Sequence, residues 1–334
     1  MNGIKKIGSI LLFLWFTLAM GACQSNANEV RAGEDDNFYF VYEGSRFFYH
    51  NQINSYTSAV SLSVTESYIY ISTAWSLKGI NRLDVFSHSF EHLHTIDLFE
   101  RLGGAFENSL VGVHVEDGIA YLTTRESHLY RYNLETDELE RLSTNVADMV
   151  VIGDQIFHRS GFQRSHRSNL YVLDLTSGER EMLIEGDIWQ FIITSEDSIL
   201  FVRDSVLYQA DLDGNNITPL NDRVWRFGYD GQRIVWSNTS GYLYSQEIGG
   251  AEITTFSGVA FFSSTPSVFD EHIVFSTPDG HIRLLNHADT EEFIEISRGR
   301  YFFAVLAPYI IYADNQTAHL YIVNVDGTRR LLRD

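Results

Sequence analysis

Short runs of alternating apolar and polar residues, each opened by turn residues, recur along most of the chain. Alternation with a period of two is typical of a β-strand that buries one face. The runs read SYIYIS, DGIAYLTT, DQIFHRS, EDSILFV, GQRIVWS, EHIVFS and PYIIYA. Beyond the N-terminal segment no sustained apolar stripe has helical spacing, so the pattern predicts an all-β protein.

Aligned on their first isoleucine, these runs define a repeat of 35 to 50 residues, which is the spacing of propeller blades rather than of shorter solenoid repeats. The isoleucines are Ile69, Ile119, Ile156, Ile199, Ile234, Ile273 and Ile310. Two positions later, on the same strand face, stand Ile71, Tyr121, His158, Phe201, Trp236, Phe275 and Tyr312. Side chains of this kind suit a layer packed between neighbouring sheets.

A second strand repeats in every unit, as in LYVLDL and LYQADL, and an acid or amide follows its leading residue by four positions. These residues are Asp84, Asn133, Asp174, Asp211, Glu247, Asn286 and Asn324. With one strand before each isoleucine and one after each turn, the units predict a seven-bladed β-propeller of four-stranded antiparallel blades. Six or eight blades are also compatible with the pattern.

One of these turns, Asp211-Leu-Asp213-Gly214-Asn215, resembles the opening of a calcium loop. A calcium loop also needs Gly at its sixth position and Glu at its twelfth, where this chain has Asn216 and Asp222. Since an equivalent acid or amide recurs in every unit, we interpret Asp211 as part of a hairpin turn. The sequence gives no metal site and no cofactor motif.

The first 22 residues are typical of a secretory signal, with Lys5 and Lys6 before an apolar run. The segment LAMGAC that follows resembles the lipobox of bacterial lipoproteins, and its cysteine, Cys23, is the only one in the chain. We therefore predict lipidation of Cys23 and attachment to the outer face of a membrane in a bacterial cell envelope. An ordinary signal peptide with an incidental cysteine is the alternative.

The remaining chain divides by composition into a short tether and one large domain. Residues 23–36 are polar and without periodicity, which is typical of a tether. Residues 37–334 are assigned to the propeller, with 37–58 as an edge or closing segment and the seven repeats from about residue 59. The aromatic stretch in 37–49 falls outside the repeat and could add an edge strand.

Charge excludes one class of partner. The chain has 24 basic and 44 acidic residues and a formal charge of −20, and removal of Lys5 and Lys6 with the signal makes it −22. Such a balance repels polyanions at long range, so nucleic acid is not expected as a partner.

The repeated pattern of an apolar strand, then Leu-Tyr-x-x-Asp-Leu, then Asp-Gly or its equivalent, resembles a known family. This is the bacterial domain family of unknown function related to the YWTD propeller of low-density-lipoprotein-receptor-related proteins. The resemblance covers about residues 59–334, although the YWTD tetrad is absent and Ile234-Val235-Trp236-Ser237 is the nearest stretch. It implies a secreted or anchored binding propeller and no catalytic residue.

Motifs of catalysis are absent from the sequence: there is no Gly-x-Ser-x-Gly elbow, phosphate loop, His-Glu-x-x-His or CxxC pair. His92 and His94 would share one strand face at metal-compatible spacing, but solvated histidines on an outer strand explain them as well. Acidic pairs such as Asp35-Asp36 lie in polar segments and are interpreted as solvating charges.

Longer loops occur in blade one, in blade three and in the connection from blade one to blade two, and these should open on one rim. The blade-three loop is basic in an acidic chain, which suggests a site for a carboxylate, phosphate or acidic glycan. The residues predicted for it are Trp75, Lys78, Arg101, Phe106, Arg159, Arg164 and Arg167. The alternative is that these arginines pair with the protein's own acids.

A second candidate is the mouth of the central channel, where Trp189, Trp225 and Tyr301 begin innermost strands at matching offsets. Their rings could stack on a sugar or a peptide side chain. The sequence therefore favours a non-catalytic binding or scaffold propeller with a protein, peptide or glycan partner. A propeller glycosidase or lyase acting on extracellular polymer is the alternative.

Overall fold

The computed structural model describes most of the chain from residue 27 onward. The described ranges are 27–32, 38–42, 59–75, 80–104, 109–160, 168–194, 198–259, 265–269, 271–277, 281–287, 293–297, 303–313, 319–326 and 328–333. Within them the structure is all-β: one two-stranded sheet precedes seven four-stranded sheets. No helix in these ranges has the length and apolar character needed to cross a membrane.

Each four-stranded sheet is one blade and is contiguous in sequence. Blades one and two are β3 (Ala59–Val64), β4 (Ile69–Trp75), β5 (Ile80–Phe86), β6 (His92–Asp97) and β7 (Leu110–Glu116), β8 (Ile119–Thr124), β9 (His128–Asn133), β10 (Leu139–Thr144). Blades three and four are β11 (Val146–Ile152), β12 (Gln155–Ser160), β13 (Leu170–Asp174), β14 (Arg180–Ile184) and β15 (Ile188–Ile193), β16 (Ser198–Arg203), β17 (Val206–Asp211), β18 (Thr218–Asp222). Blades five and six are β19 (Arg226–Tyr229), β20 (Arg233–Ser237), β21 (Tyr242–Glu247), β22 (Thr254–Val259) and β23 (Ser267–Phe269), β24 (His272–Ser276), β25 (Ile282–Asn286), β26 (Phe293–Ser297). Blade seven is β27 (Phe303–Leu306), β28 (Tyr309–Ala313), β29 (Leu320–Asn324) and β30 (Arg329–Arg333).

Every blade is an antiparallel meander, and the first strands contact one another in five of the neighbouring pairs of blades. These first strands therefore surround the axis of a seven-bladed β-propeller, and the predicted fold is confirmed. Because successive strands reverse direction, the start of each first strand and the end of each second strand lie on one rim, here called the entry rim. The hairpins between first and second strands lie on the opposite rim.

The core lies between blades and follows the predicted aromatic positions. In four blades the bulky residue of the second strand stacks on the tyrosine of the third strand, with ring centroids 5.3–5.5 Å apart. The pairs are His158–Tyr171, Phe201–Tyr208, Trp236–Tyr244 and Tyr312–Tyr321. In two of them a guanidinium covers the outer face of the tyrosine, 3.8 Å from its centroid for Arg180 and 3.7 Å for Arg329. The repeat thus encodes a layered stack of ring on ring and cation on ring.

The isoleucine alignment does not match the strand register in blade two. In blades three to seven the residue before the isoleucine faces the repeated acid or amide, as Gln155 faces Asp174. In blade two Ile119 itself faces Asn133, and Ile119 is half-buried while the next residue, Ala120, is fully buried. A register shift of one residue turns each side chain to the other face of the strand, which explains why Ala120 rather than Ile119 is fully buried.

In blade one the assignment of the repeated acid is wrong, because Asp84 does not end its strand. The strand β5 continues to Phe86, and the turn follows at residues 87–91, where the Ser87 amide donates to the Glu91 carbonyl. Asp84 is fully buried and accepts a hydrogen bond from the Thr95 hydroxyl of the neighbouring strand. Its carboxylate therefore joins two strands instead of forming a turn.

In blades two, three and four the repeated acid or amide forms the expected turn. Asn133 and Asp174 each accept two backbone amide hydrogen bonds two and three residues ahead. The Asp211 carbonyl accepts from the Gly214 amide, and its carboxylate accepts from the Asn216 side chain. Gly214 has a φ of +74° and lies against the Leu183 carbonyl of blade three. The segment that resembled a calcium loop is a hairpin turn of blade four that packs against blade three.

The N-terminal segment forms a sheet of its own. The strand β1 (Ala27–Ala32) lies in the segment predicted as a tether, and it pairs antiparallel with β2 (Phe38–Tyr42). The edge strand expected from the aromatic stretch therefore pairs with β1, and each blade supplies its own four strands. Residues 1–26, with Cys23 and the predicted signal, lie outside the described ranges.

Side-chain packing closes the ring between blades seven and one. Ile69, Ile71 and Phe86 form one buried apolar cluster with Ile311 and Leu320. At its border the Phe90 and Tyr309 rings meet edge to face, with centroids 5.0 Å apart. Because the described blades exchange no strand, hydrophobic contact holds the first and last blades together.

Candidate functional site

A group of aromatic and charged residues lies on the entry rim at the axis, where blades three, four and five meet. It consists of Asp148, Arg159, Trp189, Trp225 and Arg226, and we name it the Trp–Arg cluster. Their positions follow from topology, because each lies at or next to the start of a first strand or the end of a second strand.

Arg159 and Asp148 form the ion pair of the cluster. The Arg159 Nε and Nη2 atoms lie 2.8 and 2.7 Å from Asp148 Oδ2, and Arg159 Nη1 donates to the Ile188 carbonyl at 3.3 Å. The Arg159 side chain is only 12% exposed, whereas that of Asp148 is 53% exposed. Arg159 thus joins blade three to blade four, while the carboxylate it holds stays open to solvent.

Arg226 is the second cation of the cluster and has no carboxylate bonded to it among the described residues. Its Nη1 donates to the Trp189 carbonyl at 2.9 Å, whereas its buried Nε has no hydrogen-bond partner. Burial lowers the pKa of Arg226, Asp148 opposes this shift, and the nearby Arg159 adds to it. An arginine stays charged nonetheless, so the site holds a poorly solvated guanidinium.

The two indole rings form the aromatic part of the cluster. The Trp189 and Trp225 ring centroids are 5.1 Å apart at an interplanar angle of 38°, and both residues are half-buried. Rings held in this way present apolar surface at little cost in side-chain entropy. Such a surface can stack on a flat or apolar group of a ligand.

A hydrogen-bonded bridge between blades four and five holds these side chains in place. The Gln190 side chain bridges blades four and five, since its Nε2 donates to the Phe227 carbonyl at 2.5 Å and its Oε1 accepts from the Phe227 amide at 3.0 Å. Gln190 directly follows Trp189, and Phe227 directly follows Arg226. Trp189 and Arg226 therefore lie on two strands whose relative position is fixed, which favours a pre-organised site.

The structure brings together only some of the residues predicted for binding. Arg159, Trp189 and Trp225 meet in the Trp–Arg cluster, and β4 ends at Trp75 on the same rim. Arg101 does not join this cluster: it lies in the connection between blades one and two, and its guanidinium donates to the Asp137 carboxylate at 2.5 Å, in the turn between β9 and β10. The remaining predicted residues, Lys78, Phe106, Arg164, Arg167 and Tyr301, lie outside the described ranges.

Two of the predicted arginines thus pair with the protein's own acids. The Asp137 carboxylate raises the pKa of Arg101 through this hydrogen bond, and both side chains are well exposed. Arg159 holds Asp148. A role of either arginine in ligand binding stays a prediction.

The histidine cluster of blade one lies on the exposed outer strand β6. The His92 Nε2 atom is 2.9 Å from the Thr95 hydroxyl and 3.5 Å from the buried Asp84 carboxylate. No three His, Cys, Asp or Glu side chains come together as metal ligands in the described part of the chain.

Sequence reasoning missed Arg226 and Asp148. Both lie in the strands that precede the repeated isoleucines, in the segments WRFGY and DMVVI. Neither differs in residue type from the many other charges of the chain. Arg226 could have been predicted from its neighbour in the sequence, because it directly follows Trp225, which was predicted to lie at the channel mouth.

Comparison with known proteins gives the fold and no more. No protein-family model matches the chain, and no curated protein does either. Among solved structures, the computationally designed Ika8 protein aligns over 84% of this chain and 87% of its own, with a TM-score of 0.53 and 10% identity. PorZ of the type-IX secretion system of Porphyromonas gingivalis aligns over 84% of this chain and 38% of its own, with a TM-score of 0.58 and 11% identity.

An oligogalacturonate lyase in complex with manganese aligns over 77% of this chain and 85% of its own, with a TM-score of 0.51 and 11% identity. These proteins include an enzyme, a secretion-system component and a designed fold, so the likeness defines the chain as a seven-bladed β-propeller and assigns no activity. The resemblance to the YWTD-related family and to bacterial lipoproteins stays a prediction from the sequence.

Proposed function

We propose that this protein is a non-catalytic binding propeller, held by a lipid on Cys23 at the outer face of a bacterial membrane. Its partner would be a protein, peptide or glycan of the cell envelope. The Trp–Arg cluster supports this proposal, because paired indole rings and a poorly solvated guanidinium meet at the channel mouth. Tryptophan and arginine are the residue types that contribute most to recognition energy at interfaces.

The chemistry of the cluster favours binding over catalysis. Its one carboxylate, Asp148, is held by Arg159 at 2.7 Å, and a carboxylate so paired is a poor general acid or base. A glycosidase would need two carboxylates on either side of the scissile bond. The cluster instead offers one cation and two rings next to each other.

Site-specific crosslinking in intact cells tests the proposal. A photoreactive phenylalanine analogue is placed at Trp189, and a matched variant carries it at Ile152, which is exposed on the opposite rim of blade three. We expect a discrete adduct at position 189, identified by mass spectrometry, and no such adduct at position 152.

The partner identified in this way is then purified and its affinity is measured. We expect Trp225→Ala to weaken it by about tenfold or more, since buried tryptophan anchors contribute about 2 kcal/mol. Equal adducts at both positions, or equal affinity for wild type and Trp225→Ala, would contradict the proposal.

A further inference from the structure

We propose that the Trp–Arg cluster is a carboxylate site, in which Arg226 binds a single carboxylate and the Trp189–Trp225 pair binds the flat or apolar group beside it. For its biological use this inference rests on the proposed binding function. It goes further because it names the group that is bound and the residue that binds it.

The charges of the cluster support an anion. Two guanidiniums, Arg159 and Arg226, share one carboxylate, Asp148, which leaves one positive charge without a counterpart in the cluster. Arg226 is the cation concerned, because Asp148 is bonded to Arg159 and the Arg226 Nε has no hydrogen-bond partner among the described residues. A buried donor without a partner is unfavourable, and an incoming anion would relieve the charge imbalance beside it.

A single carboxylate fits better than other anions. The guanidinium fork matches the planar carboxylate in geometry. A phosphate or a polyanionic glycan would bring two or more negative charges to a chain of formal charge −20, which repels them at long range. A ligand carboxylate would make the cluster neutral, with two cations and two anions.

The indole pair defines what stands next to the carboxylate. The Arg226 guanidinium is bonded to the Trp189 backbone carbonyl at 2.9 Å, so the cation is anchored to the residue that carries one of the two rings. A group that carries a flat ring or an apolar chain near its carboxylate can contact both. We therefore infer that the partner is a protein or peptide that presents one carboxylate beside an aromatic or apolar side chain.

Two small probes that differ only in charge test this inference on the full chain in detergent. They are N-acetylphenylalanine, a carboxylate at neutral pH, and its uncharged amide. Titration is followed by the indole N–H signals of Trp189 and Trp225 in NMR spectra. We expect both signals to shift with the acid, and the amide to bind about tenfold more weakly, because a hydrogen bond to a charged group contributes about 1.5–3 kcal/mol.

Three variants complete the experiment. Arg226→Gln should abolish the preference for the acid, whereas Asp148→Asn, which raises the local positive charge, should strengthen acid binding and leave amide binding unchanged. Arg329→Gln, in blade seven, is the matched control and should behave as wild type. Simple destabilisation would weaken acid binding in both variants. A loss of acid preference in Arg226→Gln together with stronger acid binding in Asp148→Asn therefore indicates a binding role.

Equal binding of acid and amide, or an unchanged preference in Arg226→Gln, would overturn the carboxylate site. So would a phosphate monoester probe that binds more tightly than the acid. If the acid binds as expected but crosslinking at position 189 gives no partner, the carboxylate site stands and the proposed function fails.

Discussion

At the scale of single residues, His158 is the exception in the aromatic layer. It occupies the position that Phe201 occupies in blade four, and its ring stacks on Tyr171 at 5.5 Å and 16°. Its Nε2 is buried with no hydrogen-bond partner, while Nδ1 lies 3.4 Å from the Arg159 carbonyl. Burial, with the nearby Arg180, lowers the pKa of His158 to about 4. The imidazole therefore acts as a neutral aromatic ring at physiological pH.

This position predicts a pH-dependent stability. The unfolded chain takes up a proton on this histidine near pH 6.5, whereas the folded chain does so only near pH 4. The free energy of unfolding should therefore fall as the pH drops from about 6.5 to 4, by up to about 3 kcal/mol from this group. His158→Phe should remove that part of the pH dependence in urea unfolding, and Phe201→His should add a similar one in blade four. A wild-type pH profile in both variants would refute the assignment.

At the scale of strands and turns, the repeat predicted most of what the structure contains. Alternation located the strands, and the recurring acid or amide located the hairpins, as at Asp174 and Asp211. The register of blade one could not be predicted this way, because Asp84 has the residue type of a turn acid but lies buried in a longer strand. Arg226 was missed because its contact with Trp189 depends on how blades four and five pack. A single polar contact between two blades, such as this one, leaves no periodic trace in the sequence.

Two glycines in equivalent turns allow the interblade contact of the Asp211 turn to be measured. Gly178 and Gly214 both have a φ of +74°, but a Cβ at Gly178 would meet nothing within 4 Å, whereas one at Gly214 would lie 2.4 Å from the Leu183 carbonyl oxygen. Gly178→Ala should lower the free energy of unfolding by about 1 kcal/mol, from backbone strain alone. Gly214→Ala should lower the free energy of unfolding clearly more, because the backbone of blade three must also move. If urea unfolding gave the same loss of free energy of unfolding for both variants, the turn would not press on blade three.

At the scale of the whole molecule, the cluster and the predicted anchor are separate features. The Trp–Arg cluster belongs to blades three, four and five, whereas Cys23 precedes the first described strand. A lipid on Cys23 would hold the protein at a membrane without using the propeller surface. Binding and attachment should therefore be separable by mutation.

Replacement of Cys23 tests the anchor. Cys23→Ala should move the protein from the membrane fraction to the soluble extracytoplasmic fraction, because it removes the thiol that the lipid would modify. The purified variant should still bind the carboxylate probe as wild type does. Membrane attachment that persists in Cys23→Ala, with no lipid on the wild-type cysteine by mass spectrometry, would rule out lipidation.

The way the ring closes also bears on how the chain can be cut and rejoined. Blades one and seven exchange no strand among the described residues and meet through side chains such as Phe90, Tyr309 and Leu320, and each blade is one contiguous segment. The strand β3 begins and β30 ends on the entry rim, like every connection between blades. A short linker between them, with a new break before β19, would give a circular permutant that keeps all seven blades. The order of blades around the axis, rather than the position of the termini, therefore determines this fold.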